Sequence, residues 1–134
     1  HPNISLNVLL RQCLYILPDN FCPSEDNLET EIKNSLCVLY RQSSVGMQAL
    51  LHGVPVIYLD VDAPLISDPI MSLKAYKWRI QTSEELLRAI QEIRSLSFDQ
   101  RNVLINNARK NAKDYFASPN NENIMSFYAD GNTT

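Results

Sequence analysis

Short apolar runs alternate along this chain with stretches whose apolar residues recur at helical spacing. The run Leu36–Tyr40 is too short for a helix and predicts a strand buried on both faces, and Val54–Leu59 predicts a second buried strand. A third run, Leu14–Leu17, ends at the turn signal Pro18–Asn20 and is typical of a strand followed by a turn. Trp78–Ile80 is expected to add a short edge strand.

Three helices are expected before and between these strands. Asn7–Leu14 is apolar enough for a helix or its start, and Ser24–Asn34 predicts a short helix with its apolar residues four apart on one face. The third helix is Ser44–His52. Its stop signal is a glycine immediately after it, Gly53, with Pro55 shortly beyond.

Two later helices are expected to begin at capping boxes, Thr82–Glu85 and Ser97–Gln100. In a capping box a hydroxyl accepts a hydrogen bond from the backbone N–H three residues later, and the acid or amide at that later position accepts one from the N–H of the hydroxyl residue. Before them, residues 61–77 contain Pro64 and Pro69 and predict a loop with a short helical turn at 72–76. The apolar stripes expected on the two helices comprise Leu86, Leu87, Ile90 and Ile93, then Leu104, Ala108, Ala112 and Tyr115 or Phe116.

Alternating strands and helices predict an α/β fold, a Rossmann-like parallel sheet flanked by helices. We expect one domain over residues 1–118 and a polar, loosely ordered tail over 119–134. Ligands of such sheets bind beyond the carboxyl ends of the strands. The candidate positions are therefore those that follow each predicted strand: Pro18–Asn20, Arg41–Ser44 and Asp60–Asp62.

Composition excludes several classes of function. The 134 residues are 45% hydrophobic and can form a core, while a net charge of −3 without clustered Lys and Arg predicts no nucleic-acid partner. No apolar run is long enough to span a membrane. The absence of a Walker loop, zinc pattern or EF-hand predicts neither metal nor cofactor. Three cysteines without a Cys-x-x-Cys pair, and no signal peptide, predict reduced thiols in the cytoplasm.

The turn after the first buried strand has the strongest chemical signal. Residues 41–46, Arg-Gln-Ser-Ser-Val-Gly, lead into a helix whose first backbone N–H groups lack partners and attract anions. Ser43 and Ser44 would donate hydroxyl hydrogen bonds to a phosphate, and Arg41 would add positive charge. Gly46 would let a ligand approach the backbone. The alternative from spacing alone is that a serine only caps the helix, stabilising it by ~1 kcal/mol.

The stretch 43–57, SSVGMQALLHGVPVI, resembles the donor-site helix of GT-B glycosyltransferases. In that family a strand, a Ser- or Gly-rich turn and a helix ending in Gly-x-Pro-Val hold the phosphates of the nucleotide. Thr82–Leu87 and the long helix after it resemble the end of the same domain, so the resemblance covers residues 25–118. It implies the C-terminal, nucleotide-sugar-binding half of a GT-B fold, with the donor phosphate bound by Arg41, Ser43, Ser44, Val45 and Gly46.

A second resemblance narrows the family. His1-Pro2 stands about forty residues before the Ser43-Ser44 pair, and bacterial sialyltransferases and polysialyltransferases carry a His-Pro and a Ser-Ser motif at a similar separation. The resemblance implies that His1 is catalytic and stabilises the departing CMP, while the serine pair binds its phosphate. The implied reaction transfers sialic acid or a related acidic sugar to a surface glycan. Capsule Kdo transferases use related signatures, so the sugar stays open.

Two features depart from the family pattern. Many retaining GT-B enzymes have Glu where Gln48 stands, to bind the ribose of a UDP or GDP sugar. Gln48 therefore weakens the alternative of a UDP- or GDP-sugar transferase and leaves a CMP donor open. Nucleoside contacts are expected from Gln48, Pro18 and Asp60. The acidic Asp/Glu-Asp/Glu-Gly motif of the family belongs to an N-terminal domain and does not occur in this sequence. Because the sequence begins at His1, we expect an inactive piece of a longer enzyme that associates peripherally with a membrane.

Other classes of protein fit the same pattern. One is a sugar-nucleotide epimerase-like domain with a similar Gly-x-Pro-Val layout, and another is a non-catalytic flavodoxin-like binding module in which Ser43 and Ser44 only cap. Asp60 and Asp62 flank a strand end, where a solvated turn is favoured, with ordering of a loop or contact with the donor as the alternatives. The basic and aromatic segment Lys74–Arg79 favours a surface strand, with contact to an acidic glycan or a base as the alternative.

Overall fold

A computed structural model describes residues 8, 12, 16, 18–24, 26–61 and 68–113. The chain divides into two compact units, residues 1–31 and 32–134. In the first unit Val8 and Gln12 are helical, as predicted for Asn7–Leu14, and Ile16 is not in a strand. The turn at Pro18 is confirmed, since its carbonyl accepts a 2.9 Å hydrogen bond from the Phe21 N–H. The rest of the predicted Leu14–Leu17 strand, and the predicted tail 119–134, lie outside the described residues.

Helix α1, Leu28–Asn34, starts four residues later than predicted. Asn27 sets its start, because its side-chain oxygen accepts a 2.9 Å hydrogen bond from the Thr30 N–H at the beginning of the helix. Ile32 is buried, whereas Leu28 is exposed. The prediction that these two residues share a buried face is therefore wrong for Leu28, which lies in the first turn where packing ends.

Three parallel strands form the described sheet: β1, Val38–Tyr40; β2, Val56–Leu59; and β3, Lys77–Ile80. Their order is β1-β2-β3, and Val38, Val56 and Lys77 are register partners across it. A parallel α/β sheet flanked by helices is thus confirmed, and it is compatible with a Rossmann-like fold.

Helix α2, Val45–His52, covers one face of this sheet, and helix α4, Phe98–Lys113, packs on α2. The residues of β1 and β2 that point to this face are Val38, Tyr40, Val56 and Tyr58; Val38 is half-buried and the other three are buried. Burial of each such side chain stabilises the fold by about 1.5–3 kcal/mol. The helix residues packed with them are Met47, Ala49 and Leu50 of α2 and Ala108 and Ala112 of α4.

Helix α3, Ser83–Ser95, covers the opposite face near β3. Ile57 and Ile80 pack there with Ala89 and Ile93 of the helix. Leu39 of β1 points to the same face but is 43% exposed. The expectation that the first strand is buried on both faces is therefore wrong, because α3 packs on β3 rather than on β1.

The helix ends follow the predicted local signals. The Thr82 hydroxyl accepts a 3.2 Å bond from the Glu85 N–H, and the Glu85 carboxylate accepts a 2.6 Å bond from the Gln81 N–H, one residue earlier than in a standard capping box. Ser97 and Gln100 form the reciprocal pair at 3.3 and 2.9 Å. Both predicted helix starts are confirmed.

Gly53 ends α2 in the left-handed conformation, with φ of +79°, as predicted. Arg109 of α4 completes this end by donating hydrogen bonds of 3.1 Å to the Leu51 carbonyl and 3.2 Å to the His52 carbonyl. These are carbonyls that a helix leaves without partners in its last turn. Within the described part of the chain, no helix has the length and apolar character needed to cross a membrane.

Candidate functional site

The carboxyl ends of β2 and β3 meet at Asp60. Its carboxylate accepts hydrogen bonds from Arg79, at 2.9 Å from Nε and 2.5 Å from Nη2, and from Gln81 Nε2 at 2.9 Å. The Asp60 side chain is only 6% exposed. Hydrogen bonds from Arg79, then from Gln81, lower the pKa of this carboxyl below its ordinary value, and the nearby charge of Arg41 adds to the effect. The expected solvated turn at Asp60 is therefore wrong. Its contact with a nucleoside stays a prediction.

The β1–α2 turn, residues 41–44, lies at the same edge of the sheet, and Arg41 and Ser44 are exposed there. Gln42 has a left-handed backbone, with φ of +53°, which is uncommon for a residue other than glycine. The Ser43 hydroxyl accepts a 3.3 Å bond from the Val45 N–H. Ser44 occupies the N-cap position, but its side chain makes no cap hydrogen bond. The capping alternative thus fits Ser43 weakly and does not fit Ser44.

Gly46 has a different environment from the one expected. A Cβ placed on it would lie 2.9 Å from Cε1 and Cζ of the Tyr40 ring. The absence of a side chain therefore lets the buried ring of Tyr40 pack against the first turn of α2. The tyrosine ring therefore fills the space that the missing side chain leaves, and the predicted contact of Gly46 with a donor phosphate stays a prediction.

The structure leaves three other predicted site residues without a test. Gln48 is exposed on α2, one turn after Ser44. Pro18 is exposed in the first compact unit, and His1 lies outside the described residues. Their roles toward a nucleoside or a departing phosphate stay predictions.

A buried ion pair lies on the inner face of the sheet. The Asp68 carboxylate bonds the ammonium of Lys77, and the two side chains are 4% and 7% exposed. Asp68 also accepts hydrogen bonds of 2.8 Å from the Tyr40 hydroxyl and 3.1 Å from the Ile70 N–H. Lys77 donates a second bond, of 2.7 Å, to the Ile70 carbonyl. Burial is the largest cause that raises the pKa of Tyr40, and the hydrogen bond to Asp68 is the next.

This arrangement corrects the favoured interpretation of Lys74–Arg79 as a surface strand for Tyr76 and Lys77, whereas Lys74 and Arg79 are exposed as expected. Lys77 is the register partner of Val56, whose side chain is fully buried, so the lysine points into the same layer. Tyr76 is buried as well. The alternation of side chains along a strand was the signal in the sequence for the direction of Lys77. It places Lys77 and Arg79 on one face of β3 and Trp78 and Ile80 on the other. Nothing local indicated Asp68 as the partner of Lys77.

A cleft of about 290 Å³ adjoins this ion pair. Tyr58, Lys77 and Arg79 line it from the strands, and Asp68, Leu73 and Lys74 line it from the preceding segment. Exposed Met71 completes the lining. The Tyr58 hydroxyl is buried and has no hydrogen-bond partner among the described residues. We call this cavity the β2–β3 cleft. Sequence reasoning did not find it.

The described residues contain no group of three or more His, Cys, Asp or Glu side chains that could hold a metal ion. The candidate features are therefore an exposed serine turn at the sheet edge and a polar cleft next to the buried ion pair. No protein-family model matches the chain, and no curated protein or solved structure matches it significantly.

Proposed function

We propose that this chain is the donor-binding part of a GT-B glycosyltransferase, and that the β1–α2 turn binds the phosphate of a nucleotide sugar. The observation that carries the proposal is the Ser44 hydroxyl. It stands at the N-cap of α2, where a serine ordinarily bonds the helix, yet it makes no cap bond and is exposed. A hydroxyl in this position is free to donate to a phosphate oxygen.

The electrostatics of the turn favour an anion. The start of a helix carries a partial positive charge of roughly half a unit, which the peptide dipoles supply. Arg41 adds a full charge at the same edge. Asp60 would oppose a phosphate, but Arg79 and Gln81 bond its carboxylate. The left-handed backbone of Gln42 is a further sign, because strained residues cluster at ligand sites.

The donor class rests on the resemblance to bacterial sialyltransferases. On this proposal Gln48, exposed one turn beyond Ser44, lies within reach of the nucleoside, and a CMP-linked acidic sugar is the donor. His1 would assist the departure of CMP. The acceptor is a surface glycan.

Titration with nucleotides followed by NMR tests the proposal. CMP is expected to shift the backbone amides of residues 42–47, and Ser44→Ala is expected to weaken CMP binding about tenfold, since a hydrogen bond to a charged group is lost. The matched control is Ser95→Ala, an exposed serine at the end of α3, which should bind CMP as the wild type does. The proposal fails if CMP, UDP and GDP all leave these amides unshifted. Tighter binding of UDP than of CMP overturns the CMP donor alone.

A further inference from the structure

The side chain of Tyr40 supports the β1–α2 turn from inside the protein. Tyr40 is the last residue of β1, immediately before the turn, and Gly46 is the second residue of α2, just after it. The buried Tyr40 ring lies against the backbone of Gly46, where a Cβ would approach it to 2.9 Å. A single ring therefore joins the strand that enters the turn to the helix that leaves it.

The serines of the turn fix the start of α2 only weakly. The Ser44 side chain makes no cap hydrogen bond. The Ser43 hydroxyl accepts from the Val45 N–H at 3.3 Å, which is long for a hydrogen bond of this kind. The first turn of the helix also contains no acidic side chain that would interact with its dipole. Packing against the Tyr40 ring therefore contributes to fixing where the first turn of α2 lies.

The Tyr40 ring is itself fixed by a bond to a distant segment. Its hydroxyl donates a 2.8 Å hydrogen bond to Asp68, which is 28 residues away in the sequence. Asp68 is held in turn by the ion pair with Lys77 and by a 3.1 Å bond from the Ile70 N–H. The Tyr58 ring packs beside the Tyr40 ring, with 5.5 Å between the ring centres. Because such packed interiors transmit displacements, a change at Asp68 is expected to reach Gly46.

We propose that Tyr40 is a positioning residue for the donor. Its bond to Asp68 holds the ring against Gly46 and keeps the β1–α2 turn in the conformation that binds phosphate. This role rests on the proposed function, which supplies the identity of the ligand. Tyr40 itself does not touch the donor. A binding site has to hold its contacting groups to within about 0.5 Å, so the support behind them affects affinity.

The first test compares CMP binding by the wild type and Tyr40→Phe, which keeps the ring and removes only the hydroxyl. The shifts of amides 42–47 report binding, at a temperature where both proteins are folded. We expect Tyr40→Phe to bind CMP about fivefold more weakly. A bond that only stabilised the fold would lower the thermal midpoint and leave the affinity unchanged.

Ile93→Val is the matched control for stability. Ile93 is fully buried in the core on the opposite face of the sheet, where it packs with Ile57 and Ala89. Shortening its side chain should lower the thermal midpoint, because it leaves a small cavity. The affinity for CMP should stay at the value of the wild type, because this core does not contain Tyr40 or Gly46.

Amide hydrogen exchange without nucleotide gives a readout that does not depend on the ligand. The Met47 and Gln48 N–H groups bond the Ser44 carbonyl at 3.0 and 3.3 Å in the first turn of α2. In Tyr40→Phe these two amides are expected to exchange about fivefold faster, because local opening of the turn becomes easier. Ile93→Val should leave their exchange unchanged.

Gly46→Ala perturbs the same contact from the other side. The added methyl group meets the Tyr40 ring, so the amide of Ile70, which bonds Asp68, is expected to shift. Gln48→Ala, exposed on the same helix, should leave the Ile70 amide unshifted. This variant keeps the test decisive if Tyr40→Phe does not fold. An unshifted Ile70 amide in Gly46→Ala would contradict the connection between the turn and Asp68.

The remaining outcomes separate the positioning role from the proposed function. Shifts of amides 42–47 with CMP in the wild type, together with unchanged affinity in Tyr40→Phe, reject the role and leave the nucleotide site standing. Equal losses of affinity in Tyr40→Phe and Ile93→Val reject it as well, because they reflect stability alone. If CMP leaves the wild-type amides unshifted, the proposed function fails. The exchange of Met47 and Gln48 then decides whether Tyr40 holds the turn, and unchanged exchange rejects that.

Discussion

The ring of Tyr40 packs against the backbone of Gly46, and a Cβ at position 46 would approach two ring carbons to 2.9 Å. The ring cannot easily move away, because it is buried and its hydroxyl donates to Asp68. A glycine near the start of α2 thus connects the β1–α2 turn to the buried ion pair. This contact decides what a substitution in the turn would do.

Gly46→Ala is expected to destabilise the protein by about 1–2 kcal/mol. Overpacking against a fixed ring costs about 1–3 kcal/mol, and the better helix propensity of alanine returns about 0.5–1 kcal/mol of that. Urea unfolding monitored by circular dichroism measures the difference. Gln48→Ala, exposed on the same helix, is the control and should stay within about 0.5 kcal/mol of the wild type. Equal stability of the two variants would show that the ring yields.

Ser44→Ala is expected to change stability by less than about 0.5 kcal/mol, since the hydroxyl makes no cap bond. Thr82→Ala is the matched comparison, because the Thr82 hydroxyl does accept from the helix at the start of α3. That substitution should cost about 1 kcal/mol. Unfolding curves of both variants without nucleotide give the values. A similar loss for both would indicate that Ser44 caps α2 after all.

Breaking the Asp68–Lys77 pair on one side is expected to be more harmful than replacing both partners. Asp68→Leu leaves the Lys77 ammonium buried without its counter-charge, which costs about 3–5 kcal/mol. The double variant Asp68→Leu/Lys77→Met replaces the pair with apolar side chains and should be more stable than Asp68→Leu alone. A double-mutant cycle with Lys77→Met measures the coupling. Strict additivity of the two single changes would mean that the pair contributes no interaction energy.

Lowering the pH is expected to decrease the free energy of unfolding partly through protonation of Asp60. Its folded-state pKa is lowered by Arg79 and Gln81, so the carboxylate stabilises the fold at pH values above the unfolded pKa of ~4. That contribution is lost as pH falls from ~4 through the lowered folded pKa. Asp60→Asn should therefore be less stable than the wild type at neutral pH, with the gap narrowing in this acidic window. Urea unfolding at a series of pH values checks it, and a gap independent of pH would contradict the assignment.

Local signals in the sequence were sufficient for the elements whose determinants are local. The starts of α3 and α4 follow from Thr82 and Ser97, and the end of α2 follows from Gly53, because capping hydrogen bonds and a left-handed glycine involve residues only a few positions apart. The two buried runs also predicted the strands β1 and β2. With β3, they were enough for the parallel α/β class.

Features that depend on packing between distant segments were not predictable in this way. The exposure of Leu39 depends on where α3 lies against the sheet, which no pattern within β1 encodes. Tyr40 and Asp68 are 28 residues apart, and their bond closes the segment before β3 over the sheet. The space beside Gly46 is filled by a ring from the preceding strand, although a glycine in such a turn is equally compatible with a bound ligand.

The order of strands and helices in the second unit, the ends of its longer helices and the serine turn at a strand end follow from the sequence, because they depend on periodicity and short-range hydrogen bonds. Packing between distant segments establishes that Asp60 is bonded internally, that Lys77 is buried against Asp68, and that a polar cleft lies next to this pair. A charged side chain is buried in a core only where an opposite charge or hydrogen bonds compensate it, because burial of an isolated charge is costly. The compensating group here lies in another segment of the chain, and the two become neighbours only in the folded protein.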